Sequence, residues 1–247
     1  MAARDEILAF ADELLDVAAY PDFGPVGLQV VGSPAVEKIV CGVSASRDLF
    51  ERAAAAGAQL VLVHHGLFWD RDPRVVDETL RGRLVALFSG DMTLAAYHLA
   101  LDAHAELGNN ALLVQELGAT VEDRFDEVGF GARFAEPLGS DELADRVHKR
   151  LGRMPTVFPY GPEQIERIAV CSGGAARLLA AAVNEGYDCF LTGEAAEPTK
   201  HAAKEAGIHF VAAGHYSTET LGVQALAARI ADEFDVAWEF VDLPNPV

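Results

Sequence analysis

The sequence has little lysine, little cysteine and no long apolar run, and each shortage excludes something. Only four of its 19 basic residues are lysine, against 38 acidic residues, so the formal net charge is −19. A surface this acidic repels a nucleic-acid backbone, which argues against DNA or RNA as a partner. It is also the kind of surface that a high-salt cytoplasm tolerates, because salt screens self-repulsion at short range. Cys41, Cys171 and Cys189 are odd in number and form no C-x-x-C pair. Neither a disulfide framework nor a thiolate metal site is expected, and the three are read as small buried hydrophobes in a reducing compartment. The opening stretch MAARDEILAFADELLD carries charges among its apolar positions at helical spacing, and no run approaches the roughly 18 apolar residues of a membrane span. The expected location is the cytoplasm, away from any membrane. No segment is low-complexity.

What is present is a hydrophobic content of 51% over 247 residues, enough for one large domain or two small ones, and an internal repeat. Residues 36–65, VEKIVCGVSASRDLFERAAAAGAQLVLVHH, lie without a gap over residues 165–194, IERIAVCSGGAARLLAAAVNEGYDCFLTGE. Val36 meets Ile165, Ile39 meets Ile168, Leu49 meets Leu178 and Gly57 meets Gly186. Both copies read strand, small-residue turn, helix, glycine stop, strand. The repeat resumes where residues 90–102, GDMTLAAYHLALD, match residues 207–219, GIHFVAAGHYSTE. Each copy then carries a histidine followed four residues later by a carboxylate: His98 with Asp102, and His215 with Glu219. The predicted organisation is two intertwined α/β repeats, 1–115 and 124–247, with mixed, mainly parallel sheets and a metal site between them.

Ligands in such sheets bind beyond the carboxyl ends of strands. His64 and His65 end one predicted strand, and Asp102, His215 and Glu219 lie just beyond others. A lone histidine is usually a satisfied or exposed ring, and His104, His148, His201 and His209 are read that way. For the adjacent pair that reading is weaker, since neighbouring strand residues face opposite sides and one ring would enter the core. Asp102 or Glu219 taken singly is equally well a helix cap. Taken together, the five point to a metal site. Imidazoles with carboxylates and no thiolates suit zinc, iron, manganese, nickel or cobalt alike. Five ligands on one ion would nearly saturate it, whereas two ions about 3.5 to 4 Å apart leave positions open. Two divalent ions per chain are therefore expected. His98 holds the histidine position of the repeat without being needed in the ligand set, which makes it the first candidate for general acid or base; a partner that orients a ligand is the equal alternative.

The stretches VGLQVVG, VLVHHGLFW, AYHLALDAH and FLTGEAAEPTKHAAKEAGIHFVAAGHYSTETLG resemble the GTP cyclohydrolase I type 2 family, also known as the Nif-three-like dinuclear metal proteins. The resemblance runs over nearly the whole chain. It implies a homohexamer and two metal ions on His64, His65, Asp102, His215 and Glu219, with His98 and Glu194 close to the same cavity as catalytic candidates. It further implies a small-molecule purine nucleotide as substrate, GTP or a relative, with hydrolytic opening of the imidazole ring and release of formate, or hydrolysis of an altered nucleotide. A regulatory or metal-handling scaffold without turnover is the competing function. Two positions depart from the family: Pro25, where asparagine is usual, and Gly66, where proline commonly follows the histidines. The turn CSGGAA, residues 171–176, can offer backbone N–H groups to a phosphate, and equally is a tight turn built of small residues.

Overall fold

The protein is described by a computed structural model covering residues 1–247. Its first elements are β1 (Ala2–Ala3), α1 (Arg4–Leu14), β2 (Gly27–Val30), β3 (Ala35–Val36), β4 (Lys38–Ser44), α2 (Arg47–Ala55), β5 (Leu60–His65), α3 (Glu78–Ser89), β6 (Thr93–Ala96) and α4 (Leu99–Asp102). There follow α5 (Asn109–Glu116), β7 (Ala119–Phe125), β8 (Gly129–Leu138), α6 (Ser140–Leu151), β9 (Thr156–Pro159), β10 (Ile165–Val170), α7 (Leu179–Asn184), β11 (Cys189–Thr192), α8 (Thr199–Ala206), β12 (His209–Ala212) and α9 (His215–Thr218). The chain closes with α10 (Thr220–Phe234) and β13 (Ala237–Phe240). None of these helices is long and apolar enough to cross a membrane.

Two compact units result, one of Met1–Leu101 with Gly222–Leu243, the other of Asp102–Leu221 with Pro244–Val247. They partition the chain differently from the repeats at 1–115 and 124–247. The reason is that β13 pairs in parallel with β4 and α10 buries Val223, Leu226 and Ile230 in the core of the first unit.

In the first unit the strand order is β13-β4-β5-β6-β2. All pairs are parallel except β2 on β6. Both faces of this sheet are covered, which explains the nearly unbroken apolar run of β5. Leu60 and Leu62 pack with Ile7 and Leu226 on one face; Val61 and Val63 pack with Leu49, Phe50 and Leu87 on the other. Successive strand residues point to opposite sides, so every position must be apolar until the strand ends.

The second unit has the order β7-β8-β10-β11-β12-β9. Here only β10–β11 and β11–β12 are parallel, so antiparallel pairs outnumber parallel ones. The expected parallel character is confined to its middle because β7 and β8 form a hairpin turning at Asp126, whose φ is 55°, and β9 runs against β12.

The repeat is structural as well as sequential. Ile39 sits beside Leu60 in one sheet and Ile168 beside Cys189 in the other, as the ungapped match requires. Gly57 and Gly186 both stop a helix with φ of +74°, a conformation a side chain would strain. Even the edge strands correspond, β2 on β6 and β9 on β12, both antiparallel. Cys41, Cys171 and Cys189 are free and buried; burial pushes the thiols of Cys41 and Cys171 up to about 12 and leaves them unreactive.

Leu226 is fully buried on α10. Leu226→Ala is expected to lower the unfolding free energy by about 2–5 kcal/mol in a denaturant titration, through lost transfer energy and the cavity left behind.

Candidate metal-binding residues

In the first unit the apolar alternation of β5 ends at its carboxyl end, and there the two histidines appear. His64 is fully buried and His65 partly so. Their rings nonetheless converge, with centroids 4.8 Å apart, and His98, two residues past β6, stands 4.9 Å from His64 and 5.5 Å from His65. Each of the three histidines offers a ring nitrogen within 4.8 Å of the others.

Hydrogen bonds settle which nitrogen carries the lone pair that a metal needs. His64 Nδ1 lies 2.9 Å from the Tyr97 carbonyl, which can only accept, so Nδ1 carries the proton and Nε2 the lone pair. His65 Nδ1 shares a hydrogen bond of 3.1 Å with Ser44 Oγ. His98 donates Nδ1–H to Asp22 Oδ1 at 2.8 Å. The Asp22 side chain is 2% exposed, and its carboxylate also accepts the Phe23 and Leu99 amides at 2.7 and 2.9 Å. Burial works to raise the Asp22 pKa, but His98 and the two amides outweigh it and hold the carboxyl below its ordinary range. A histidine that gives one N–H to a carboxylate or carbonyl and keeps a lone pair on the other nitrogen is the usual form of a metal ligand.

The second unit brings carboxylates instead. Asp102 and Glu219 are buried. Asp102 Oδ1 accepts from Asn109 Nδ2 at 2.8 Å and from Ser172 Oγ at 3.2 Å. Asn110, fully buried, donates to the Asp102 and Val128 carbonyls. His215 has a carboxylate at each ring nitrogen, Glu194 at Nδ1 and Glu219 at Nε2, the latter 3.3 Å away. The hydrogen bond that the ring donates to Glu219 raises the His215 pKa most; burial opposes it, and the Glu219 charge with the bond and charge of Glu194 carry it up to about 9. In the protein without metal the ring is an imidazolium, a proton balancing two carboxylates where a cation would do so. The residues present therefore fit a divalent ion.

The turn CSGGAA belongs to this arrangement. The amide N–H groups of Ser172, Gly173 and Ala175 donate to Asn110 Oδ1, Thr218 Oγ1 and Thr192 Oγ1 at 2.6, 3.1 and 3.1 Å. Those donors are taken, so the tight-turn reading holds over the phosphate cradle. Gly173 has φ of +65°, and a Cβ there would lie 2.3 Å from Glu219 Oε1 and 3.2 Å from His215 Nε2. Only glycine lets the turn pass this close to both side chains.

His98 and Glu194, expected beside the site, each pair with a partner in their own unit, Asp22 and His215. Of the other histidines, His148 and His201 are exposed and His104 Nδ1 accepts two backbone amides; buried His209 donates Nε2–H to the Pro162 carbonyl at 2.7 Å, while its Nδ1 has no hydrogen-bond partner. Sequence reading missed Asp22, Asn109, Asn110, Ser172 and Thr218. The adjacent asparagines Asn109 and Asn110 were the one available signal. The two departures from the family meet on one side chain: Gln29 donates to the Pro25 carbonyl at 2.8 Å and accepts the Leu67 amide at 2.7 Å. A Cβ on Gly66 would lie 2.3 Å from its amide nitrogen.

Gly173→Ala is expected to weaken zinc binding by about tenfold or more, measured by competition with a chelator, since it displaces Glu219 and His215. The pH dependence of the metal-free protein follows from His215. Its pKa is raised from 6.5 to about 9 on folding, so its stabilisation is fully present below pH 6.5 and is lost as pH rises through 9. Thermal melts of the metal-free protein should show this loss, and His215→Gln should flatten it.

The family model described as Duf34/NIF3 (NGG1p interacting factor 3) matches residues 2–246. A protein of Escherichia coli K12 named GTP cyclohydrolase 1 type 2 homolog is 42% identical over 242 residues, covering 98% of both chains. One of the same name from Pseudomonas aeruginosa is 43% identical over 249 residues, 99% of this chain and 98% of that one. Among solved structures, the protein ybgI, described as of unknown function, superposes with a TM-score of 0.97 at 41% identity, and TTHA1606 from Thermus thermophilus with 0.93 at 36%, both over the full length of each chain.

Proposed function

Because the chain belongs to the Duf34/NIF3 family, whose curated relatives carry the name GTP cyclohydrolase 1 type 2 homolog, we propose that it is a dinuclear metal-dependent hydrolase of purine nucleotides. The reaction is opening of the imidazole ring with release of formate, or the related hydrolysis of an altered nucleotide. The observation that carries this reading is His215, which has a carboxylate at each ring nitrogen, Glu194 at Nδ1 and Glu219 at Nε2. The ligands in the proposal are His64, His65, Asp102, His215 and Glu219. Two divalent ions bound there would supply the Lewis acidity that makes water a nucleophile at neutral pH.

The protein residues do the rest. Tyr97, through its carbonyl, fixes the His64 ring with the lone pair on Nε2. Asn109 and Ser172 orient the Asp102 carboxylate by donating to the same oxygen. His98, anchored by ionised Asp22, presents Nε2 as the atom that takes a proton from water or returns one to the ring nitrogen that leaves. Glu194 keeps the His215 ring in orientation through Nδ1.

The same proposal includes a cytoplasmic homohexamer. Support comes from the free buried cysteines, which suit a reducing compartment, and from apolar side chains left exposed on α3, Val85 and Phe88, which suit burial against neighbours.

The test is metal analysis with a formate assay on GTP. Two ions per chain and metal-dependent formate are expected; metal uptake without formate would favour a metal-handling scaffold. His215→Ala should lose metal and activity together. His98→Ala should keep its metal and lose turnover by about 10²- to 10⁴-fold, the usual worth of general acid–base catalysis. Equal loss of metal in both variants would refute the division of roles.

A further inference from the structure

Beside the histidine cluster of the first unit stand two aromatic rings that no packing requirement explains. Phe23 lies between α1 and β2 and is 59% exposed. Trp69 lies between β5 and α3 and is partly exposed. The Trp69 ring meets His98 edge-on at 5.2 Å and 87°, and lies 6.2 Å from His65. The Phe23 ring lies 6.4 Å from His98, tilted by 54°. His98 is thus flanked by both.

The two loops are fixed to each other. The Asp70 amide donates to the Phe23 carbonyl at 2.7 Å. Gly24 passes so close to the second loop that a Cβ on it would lie 2.3 Å from the Phe68 carbonyl oxygen. Asp22 accepts the Phe23 amide with the same carboxylate that holds His98, so ring and imidazole share one anchor. The chain therefore holds aromatic surface, on a tied backbone, next to Nε2 of His98. Phe23 thus presents most of its ring to solvent beside His98.

We propose that Phe23 and Trp69 form a stacking platform for the planar heterocycle of the substrate, and that base recognition rests on these rings and His98 instead of on the phosphates. The inference builds on the purine-nucleotide reading above and adds where the base lies. Stacking suits the electrostatics of the chain: a net charge of −19 repels a polyphosphate at long range, whereas a neutral ring system brings no charge to be repelled. A base stacked on Trp69 lies within reach of His98 Nε2, where a proton must be moved if the imidazole ring is to open.

The experiment uses the zinc-loaded full chain and two probes, guanosine and inorganic triphosphate. The chain has two tryptophans, Trp69 and Trp238, so Trp238→Phe leaves Trp69 as the only indole reporter. Guanosine should quench its fluorescence saturably, and triphosphate should not compete at equal concentration. Trp69→Ala should weaken guanosine binding, followed by calorimetry, by about ten- to one-hundred-fold, the usual worth of one aromatic–base stack. Trp69→Phe should restore most of it, and metal content should be unchanged in both. The platform is overturned if guanosine fails to bind the zinc-loaded protein, or if Trp69→Ala binds it as tightly as the parent. Formate release that persists with unchanged KM in Trp69→Ala would remove the platform and leave the hydrolase reading standing. Guanosine binding without any formate release would do the opposite.

Discussion

A strand covered on both faces has no room for a polar side chain except at its end, and the placement of the candidate histidines follows from that constraint. β5 is buried on both sides from Leu60 through Val63. Its polar residues, His64 and His65, come only at its carboxyl end. The strands β6, β11 and β12 obey the same rule: His98, Glu194 and His215 all lie one to three residues past a strand end. Parallel strands put those ends on one side of their sheet. Chemistry collects there because burial forbids it elsewhere.

Position alone does not make a ligand, and the second constraint is that every polar group so placed must be satisfied. Several of these groups meet it through partners that fix protonation as well as direction. A carbonyl assigns the tautomer of His64, a carboxylate that of His98, and two donors share one oxygen of Asp102. Fully buried Asn109 and Asn110 would cost stability unless bonded. Here they convert that requirement into geometry, linking Asp102 to the turn at Ser172.

This layering explains what could be read from the sequence. The ungapped match of residues 36–65 with residues 165–194 revealed the strand register, because side-chain alternation ties sequence to face. The double histidine was legible because it broke that alternation. Asp22 was not, since it is 76 residues from His98 and lies in a loop with no period of its own. The spacing of Val223, Leu226, Ile230 and Phe234 marks an amphipathic C-terminal helix, but such a pattern does not say whose core it covers, and Leu226 packs with Ile7 and Leu60. Pro25 and Gly66 looked like two separate departures from the family; their common partner, Gln29, emerges only in three dimensions.

The repeat makes His98 and His215 equivalent in sequence, and their surroundings make them different in kind. Each gives one nitrogen to a carboxylate, Asp22 in one case and Glu194 in the other. At the remaining nitrogen they part. His215 faces Glu219, four residues on, so a positive charge is needed there and a proton supplies it in the absence of metal. His98 faces the rings of His64, His65 and Trp69, where no carboxylate of its own unit calls for a cation. A second carboxylate thus distinguishes the two rings: His215 stands between Glu194 and Glu219, whereas His98 stands between Asp22 and the rings of His64, His65 and Trp69. That difference in what stands opposite the ring is the ground on which we propose a ligand in one repeat and a proton carrier in the other.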